Sequence, residues 1–223
     1  MIVDLNVYNK KAIVIGGGTE GLRKINGLLD QECEITVITS RLNNELKKLT
    51  SDGKINLIKS RIKDVKILDQ FKDVFLILAA TDDRGLNRKL VEKGRTMGAF
   101  VYASDDPKIS DFSYASLVNY EGLIQVAIST SGKSPIMARK IRMKIERMVN
   151  RSINDSDISN IILQEFARKK AKRKIGTVRE RKQFLYSLIK DKNIQHLLRL
   201  NKLNEAKMTT LHMLNNWGKV HEA

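Results

Sequence analysis

The sequence predicts an α/β fold: a parallel sheet covered by helices, then a separate antiparallel element, then a helical C-terminal region. Three observations predict it. Short β-rich apolar runs alternate with amphipathic helical stretches through the first half of the chain. A glycine cluster, Gly16-Gly17-Gly18, stands at the first strand-to-helix junction. Beyond residue 113 the alternation stops, and a hairpin signal is followed by helical periodicity to the end.

The elements follow in order. KAIVI (11–15) is a short β-rich run ending in glycines, and residues 19–31 read as a helix with Leu22, Ile25, Leu28 and Leu29 on one face. EITVIT, from Glu34 to Thr39, is a second strand. A helix carrying Leu42, Leu46 and Leu49 comes next, then an Asp52-Gly53 turn and a third strand from Ile55 to Ile58. DVFLILAA (73–80) is almost continuously apolar, as a strand buried on both faces should be. A helix with Leu86, Leu90 and Val91 leads to a fifth strand, Ala99 to Ala103. This alternation means right-handed crossovers and a Rossmann-type parallel sheet. FSYASLVNYEGLIQVAIST holds two β-rich runs around Asn119-Tyr120-Glu121-Gly122, with Gly122 free to take positive φ. A long helix follows, with Ser134 as N-cap, Pro135 at its first position and an apolar stripe of Ile141, Ile145, Met148 and Val149. Residues 156–217 read as further helices built on Ile158, Ile161, Ile162 and Phe166, then Phe184, Leu185 and Leu188.

Composition narrows the function classes. The chain has 223 residues, 42% of them hydrophobic, enough for one ordinary domain and a smaller one. No apolar run is long enough for a membrane span, and MIVDLNVYNKK carries no basic n-region before an apolar stretch. A cytoplasmic protein is the expectation. The one cysteine, Cys33, cannot form an internal disulfide and reads as a small core residue. His196, His212 and His221 have no metal-ligand spacing, so no resident metal is expected. The formal net charge is +16, and it is uneven: residues 137–223 hold 21 Lys/Arg against 8 Asp/Glu, residues 1–136 hold 20 against 17. RKKAKRK (168–174) is the densest basic run. A basic C-terminal third suits a polyanionic partner, whether nucleic acid, a membrane surface or a polycarboxylated small molecule; a solvated helical surface is the plain alternative.

AIVIGGGTEGLRK contains Gly16-x-Gly18-x-x-Gly21 after a strand and at the start of a helix. In that context Gly16 permits the tight turn, Gly18 lets a diphosphate reach the backbone, and Gly21 lets helix and strand pack closely. The helix N-terminus favours the diphosphate charge. The second strand ends Thr39-Ser40-Arg41, without the acidic residue that would bind the ribose. Ser40 can hydrogen-bond a ribose hydroxyl, and Arg41 can stack on adenine or accept the 2′-phosphate of NADP, so NAD and NADP both stay open here.

Four stretches match one family in order: VIGGGTEGLRK, LAATDDRGLN, SDDPKISDF and VAISTSGKSPIMARKIRMKIE. Together they resemble the siroheme synthase family, specifically its precorrin-2 dehydrogenase module, with or without sirohydrochlorin ferrochelatase activity. The resemblance covers residues 1–150 clearly and the remainder loosely. It implies three parts: an NAD-binding Rossmann domain over 1–112, a homodimerisation segment of hairpin plus helix over 113–150, and a helical C-terminal domain over 151–223. It implies NAD-dependent oxidation of precorrin-2 to sirohydrochlorin in siroheme biosynthesis, and in some members insertion of ferrous iron afterwards. Gly16, Gly17, Gly18, Thr19, Glu20, Gly21, Ser40, Arg41 and Thr81 are the cofactor-binding candidates. The family usually reads GGGxVAxRK; here Glu20 and Gly21 replace Val-Ala, which sets a carboxylate where an apolar cofactor contact is usual.

The catalytic aspartate of the family's Asp-x-Pro motif maps onto Asp105, with Asp106 in the variable place before Pro107. Read alone, Asp105-Asp106-Pro107 is a polar turn. The resemblance makes Asp105 the base that takes a proton as the macrocycle loses a hydride. The STSGKSP stretch supplies substrate-binding candidates: Thr130, Ser131 and Ser134 as hydroxyl donors, Gly132 for close approach, Lys133 as cation, and Arg139 one turn into the helix. It reads as a carboxylate cradle, against a plain structural cap. Asp82 and Asp83 are candidate caps of the next helix. Two other classes compete with the enzyme: a nucleotide-sensing Rossmann protein without turnover, and a basic nucleic-acid binder, for which charge alone speaks.

Overall fold

A computed structural model describes residues 2–217. The chain divides into two compact units, Met1–Tyr114 and Ala115–Ala223.

The first unit is a five-stranded sheet in the order β3-β2-β1-β4-β5, parallel at every pairing. Its strands are β1 (Lys11–Ile15), β2 (Glu34–Thr39), β3 (Asn56–Lys59), β4 (Val74–Ala79) and β5 (Phe100–Ala103). The helices between them are α1 (Thr19–Leu29), α2 (Asn44–Ser51) and α3 (Arg84–Thr96). The β-branched runs of β1, β2 and β4 form the middle of the sheet because both of their faces are covered. On one face Ile13, Ile15, Ile38, Ile77 and Ala79 pack with Leu90 and Val91 of α3. On the other Val14, Val37, Leu76 and Leu78 pack with Ile25 and Leu28 of α1 and Leu46 of α2. Each fully buried aliphatic side chain contributes roughly 1.5–3 kcal/mol.

The β1–β4 register shifts at its start, where Lys11 faces Val74 but Ala12 faces Leu76. The irregularity puts Phe75 and Leu76 on the same face, and the alternation then resumes with Ile77. Several boundaries differ from the sequence expectation: α1 stops at Leu29, β4 spans Val74–Ala79 and β5 begins at Phe100. Leu42 lies outside α2, because the Asn43 side chain accepts from the Leu46 amide and starts the helix there. β3 begins one residue later than expected and includes Lys59.

The second unit opens with an antiparallel hairpin of β6 (Ser116–Tyr120) and β7 (Ile124–Ile128). Asn119 and Tyr120 belong to the ladder, so the turn is the three residues Glu121 (φ 52°), Gly122 (φ 72°) and Leu123, and Asn119 Oδ1 accepts from the Gly122 amide. α4 (Pro135–Ser152) packs on this hairpin. Within the unit its apolar stripe is only partly covered: Ile145 and Val149 are half-buried, Ile141 and Met148 exposed. Ile136 is 82% exposed and Met148 55%; Met137, Ile141 and Met143 are exposed too, as are Leu117 and Leu123 on the hairpin. The last four helices, α5 (Asp155–Ala171), α6 (Val178–Lys190), α7 (Lys192–Arg199) and α8 (Leu203–Asn215), share a core of Leu163, Phe184, Leu188, Ile194 and Leu198. RKKAKRK covers the last turn of α5 and the residues beyond it, where cations suit the negative end of the helix.

Candidate functional site

A cleft of about 650 Å³ opens at the carboxyl edge of the parallel sheet. Its walls come from the ends of four strands: Gly16–Gly18 after β1, Thr39–Arg41 after β2, Ser60–Lys63 after β3 and Ala80–Asp83 after β4. The strand order reverses between β1 and β4, which is where an open α/β sheet leaves room for a ligand.

The glycines shape this cleft for distinct reasons. Gly16 has φ +109°, and a Cβ there would lie 2.1 Å from the Ala80 carbonyl oxygen, so the turn admits no side chain. A Cβ on Gly21 would meet the Gly16 carbonyl oxygen at 2.0 Å, so α1 can close on the loop only with glycine at 21. Gly18 differs: a Cβ there would touch nothing, and its bareness leaves the backbone open to the cleft. Gly18 is also the N-cap of α1 and has no side chain to occupy the first-turn N–H groups. These features fit a diphosphate. Gly17 lines the cleft, whereas Thr19, Glu20 and Gly21 do not. Glu20 turns along α1 to pair with Arg23 at 2.9 Å, both exposed.

At the far wall Ser40 and Arg41 are exposed and line the cleft. Arg41 reaches across to Asp82 at 3.5 Å. Asp83 caps α3 by accepting from the Leu86 amide at 3.0 Å. Thr81 lines the cleft and donates its hydroxyl to Asn87 Oδ1 at 2.7 Å.

Asn87 is fully buried and links Thr81 on the cleft wall to Asp105, which is not among the residues lining the cleft. Its side-chain amide donates to the Thr81 carbonyl at 3.1 Å and to Asp105 Oδ1 at 2.6 Å, while its oxygen also accepts from the Thr81 amide at 3.2 Å. Asp105 itself is exposed, two residues past β5. The loop that carries it is pinned by side chains. Ser110 Oγ accepts from the Ala103 amide at 2.9 Å; Asp111 accepts from the Val101 amide at 3.0 Å and from Arg95 at 2.7 Å. Asp106 accepts from the Lys108 amide and starts a short 3₁₀ turn at Pro107. Sequence reasoning missed Asn87, Ser110, Asp111 and Arg95. A signal was present, since Asn87 closes the LAATDDRGLN stretch and Ser110 and Asp111 lie within SDDPKISDF.

A second missed feature lies beneath α1. Lys24 is 2% exposed and sits with Nζ 3.3 Å from the Tyr114 ring centroid and 4.3 Å from that of Tyr102. Burial, reinforced by Arg23 and opposed by Glu20, lowers its pKa to about 8. Burial also raises both tyrosines, Tyr114 the more strongly.

In the second unit Thr130 donates to the Ser134 carbonyl and accepts from the Ser134 amide, both at 3.1 Å, so its hydroxyl organises the loop. Ser134 Oγ caps α4 by accepting from the Met137 amide at 3.2 Å. Ser131 (φ 51°) and Gly132 (φ 76°) form the exposed bend, with Lys133 exposed beside them and Arg139 exposed on α4. Cys33 is half-buried, and burial raises its thiol pKa. His196 and His212 are exposed helical residues; His221 lies outside the described residues. Among the described residues no three His, Cys, Asp or Glu side chains converge to hold a metal, and no helix is long and apolar enough to cross a membrane.

Residues 3–116 match the family described as putative NAD(P)-binding, and residues 122–148 match the sirohaem biosynthesis protein central region. The chain is 32% identical over 208 residues to the siroheme synthase of Mannheimia succiniciproducens, covering 93% of this chain and 41% of that protein. It is 32% identical over 180 residues to the siroheme synthase of Neisseria meningitidis, covering 80% of this chain and 35% of that one. This chain belongs to the siroheme synthase family. It spans about two fifths of the length of these siroheme synthases. In fold it also matches a solved structure described as SirC, precorrin-2 dehydrogenase, with a TM-score of 0.69 at 21% identity, covering 97% of this chain and 100% of that one.

Proposed function

We propose that this chain is a precorrin-2 dehydrogenase: it oxidises precorrin-2 to sirohydrochlorin in siroheme biosynthesis, using NAD. One observation carries the reading. Buried Asn87 ties Thr81, on the wall of the cleft, to the Asp105 carboxylate by hydrogen bonds of 2.7 and 2.6 Å. A nucleotide sensor has no need of a carboxylate held at that edge.

Gly16, Gly17 and Gly18 with the α1 N-terminus take the diphosphate; Ser40 and Arg41 take the adenosine end, and Thr81 borders the nicotinamide end. Gly21 serves through the loop's shape, Thr19 opens α1 beside it, and Glu20 stays with Arg23. Bound NAD supplies the hydride acceptor. The oxidation removes a hydride and a proton from the macrocycle. Asp105 accepts the proton and passes it to solvent, to which it is open. Asn87 holds one carboxylate oxygen and leaves the other to work.

The Thr130–Ser134 loop serves as a cradle for the substrate's carboxylates. Lys133 and Arg139 supply charge; the Ser131-Gly132 bend brings the backbone close, and Thr130 and Ser134 hold its shape. Hairpin plus α4 is the homodimerisation segment, supported by the uncovered apolar residues of α4. The reaction belongs in the cytoplasm.

An anaerobic assay of the chain with precorrin-2 and NAD, followed by absorbance, tests the reading. Sirohydrochlorin and NADH appearing in equal amounts support it. Tight NAD binding with no turnover in any oligomeric state overturns it in favour of a sensor. The same assay with ferrous iron as substrate decides whether siroheme follows.

A further inference from the structure

We propose that Arg88 is a substrate-binding residue, whose guanidinium takes one carboxylate of the tetrapyrrole and brings the ring to Asp105. This rests on the dehydrogenase reading above and adds a residue of α3 to it. Charge calls for such a residue. Precorrin-2 is a polycarboxylate, and the loop after β5 meets it with two adjacent carboxylates, Asp105 and Asp106. Asp105 must be ionised to act as a base. An anionic ring brought against it is repelled unless a cation stands at the same edge.

Arg88 is that cation. Asn87 and Arg88 are neighbours on α3, and side chains one residue apart leave a helix about 100° from each other. Asn87 turns inward and holds Asp105. Arg88 turns out to solvent, its side chain 63% exposed, and its Nη2 stands 3.9 Å from Asp106 Oδ2. That separation is too long for a hydrogen bond, and a pair so exposed is worth little in water, so the guanidinium keeps its donors for another partner. Asp106 meanwhile accepts from the Lys108 amide at 3.0 Å through its other oxygen. Two further cations of α3 are committed: Lys93 pairs with Asp69, and Arg95 with Asp111 at 2.7 Å. Among the described residues no cation besides Arg88 pairs with Asp105 or Asp106. A guanidinium presents two parallel N–H groups to a carboxylate, a match that an ammonium lacks. It therefore fixes the direction of a carboxylate arm as well as attracting it.

Steady-state kinetics with precorrin-2, and titration with sirohydrochlorin, which keeps the carboxylate arms, test the assignment on the full chain. In Arg88→Ala, KM for precorrin-2 and Kd for sirohydrochlorin should each rise about tenfold or more, with NAD affinity and Tm near wild type. Arg88→Lys should recover part of the loss. Added salt should raise the wild-type KM and move that of Arg88→Ala less. Asp106→Asn separates substrate binding from a structural role, because asparagine still accepts from the Lys108 amide while the ion pair is gone. Its KM should stay at wild type or fall. A KM that rises in Asp106→Asn as it does in Arg88→Ala, or one that stays at wild type in Arg88→Ala, overturns the clamp and leaves the dehydrogenase standing. Sirohydrochlorin binding without turnover overturns only the dehydrogenase reading, and Kd then decides the clamp. A wild-type chain that neither binds sirohydrochlorin nor oxidises precorrin-2 overturns both.

Discussion

Asn87 and Asp105 are eighteen residues apart in sequence, yet the amide of one donates to the carboxylate of the other at 2.6 Å. Asn87 sits in the first turn of α3, capped by Asp83, and Asp105 just past the end of β5. The first prediction separates their roles. Asp105→Asn keeps a polar partner for Asn87 and removes the base, so dinucleotide affinity and Tm should stay near wild type while kcat is lost. Asn87→Ala strips partners from the Thr81 amide and carbonyl, so it should lower stability by about 1–3 kcal/mol. Its kcat should fall about a hundredfold through misplacement of the carboxylate. A wild-type kcat in Asn87→Ala would remove Asn87 from the site.

Gly21→Ala puts a methyl against the Gly16 carbonyl oxygen, a contact of 2.0 Å with backbone that cannot swing away. The loop must open, so dinucleotide affinity should drop by about tenfold or more, with a loss of roughly 1–3 kcal/mol in stability. Equilibrium dialysis and a melting curve measure the two. Gly18→Ala meets nothing in the chain itself, so its defect should appear in ligand affinity and not in Tm.

Lys24 makes stability depend on alkaline pH. Its folded-state pKa is lowered to about 8, below the value in the unfolded chain. Between about pH 8 and pH 10 the unfolded state therefore binds more protons, and stability rises with pH. The rise ends where the unfolded tyrosines ionise, because Tyr102 and Tyr114 resist ionisation in the fold. Urea titrations across that range should show the rise in wild type and its absence in Lys24→Met. Parallel curves for the two proteins would contradict the assignment.

Lys133→Ala should raise KM for the tetrapyrrole while leaving dinucleotide affinity unchanged, since Lys133 stands on the loop before α4. Added salt should raise KM in wild type and do so less in the variant. Steady-state kinetics at two ionic strengths measure both. A salt-independent KM would count against the cradle.

Ile136→Glu and Met148→Glu place carboxylates on the exposed stripe of α4. Both residues are largely solvent-exposed within the unit, so Tm should hardly change in dilute solution, whereas sedimentation should show the proposed homodimer shifted to monomer. A monomeric wild type, or a wild-type profile in both variants, would count against dimerisation through α4.

Much of the fold is legible in local patterning. KAIVI, EITVIT and DVFLILAA are β-branched and apolar on both faces, and only a sheet covered on both sides buries such runs. The glycine loop is legible because each glycine answers a local steric demand. The α4 stripe is legible by its period, yet in its own unit Ile141 and Met148 are exposed and Ile145 and Val149 only half-buried, because periodicity reports an apolar face and not what covers it. Lys24 stands on the buried face of α1 with Gly21, Ile25 and Leu28, a lysine in an apolar stripe whose partners, Tyr102 and Tyr114, come from distant parts of the chain.

The sequence by itself determined the strand and helix order, the glycine turn, and which loops carry carboxylates, hydroxyls and cations, because those properties follow from residues within a few positions of one another. Only the tertiary structure decided that Asn87 grips Asp105, that Arg61 and Lys63 line the same cleft as Arg41, and that Glu20 turns to Arg23 instead of the cleft. Such pairings depend on where strands leave the sheet and which way a helix face points, and parallel crossovers bring together residues that sequence distance keeps apart.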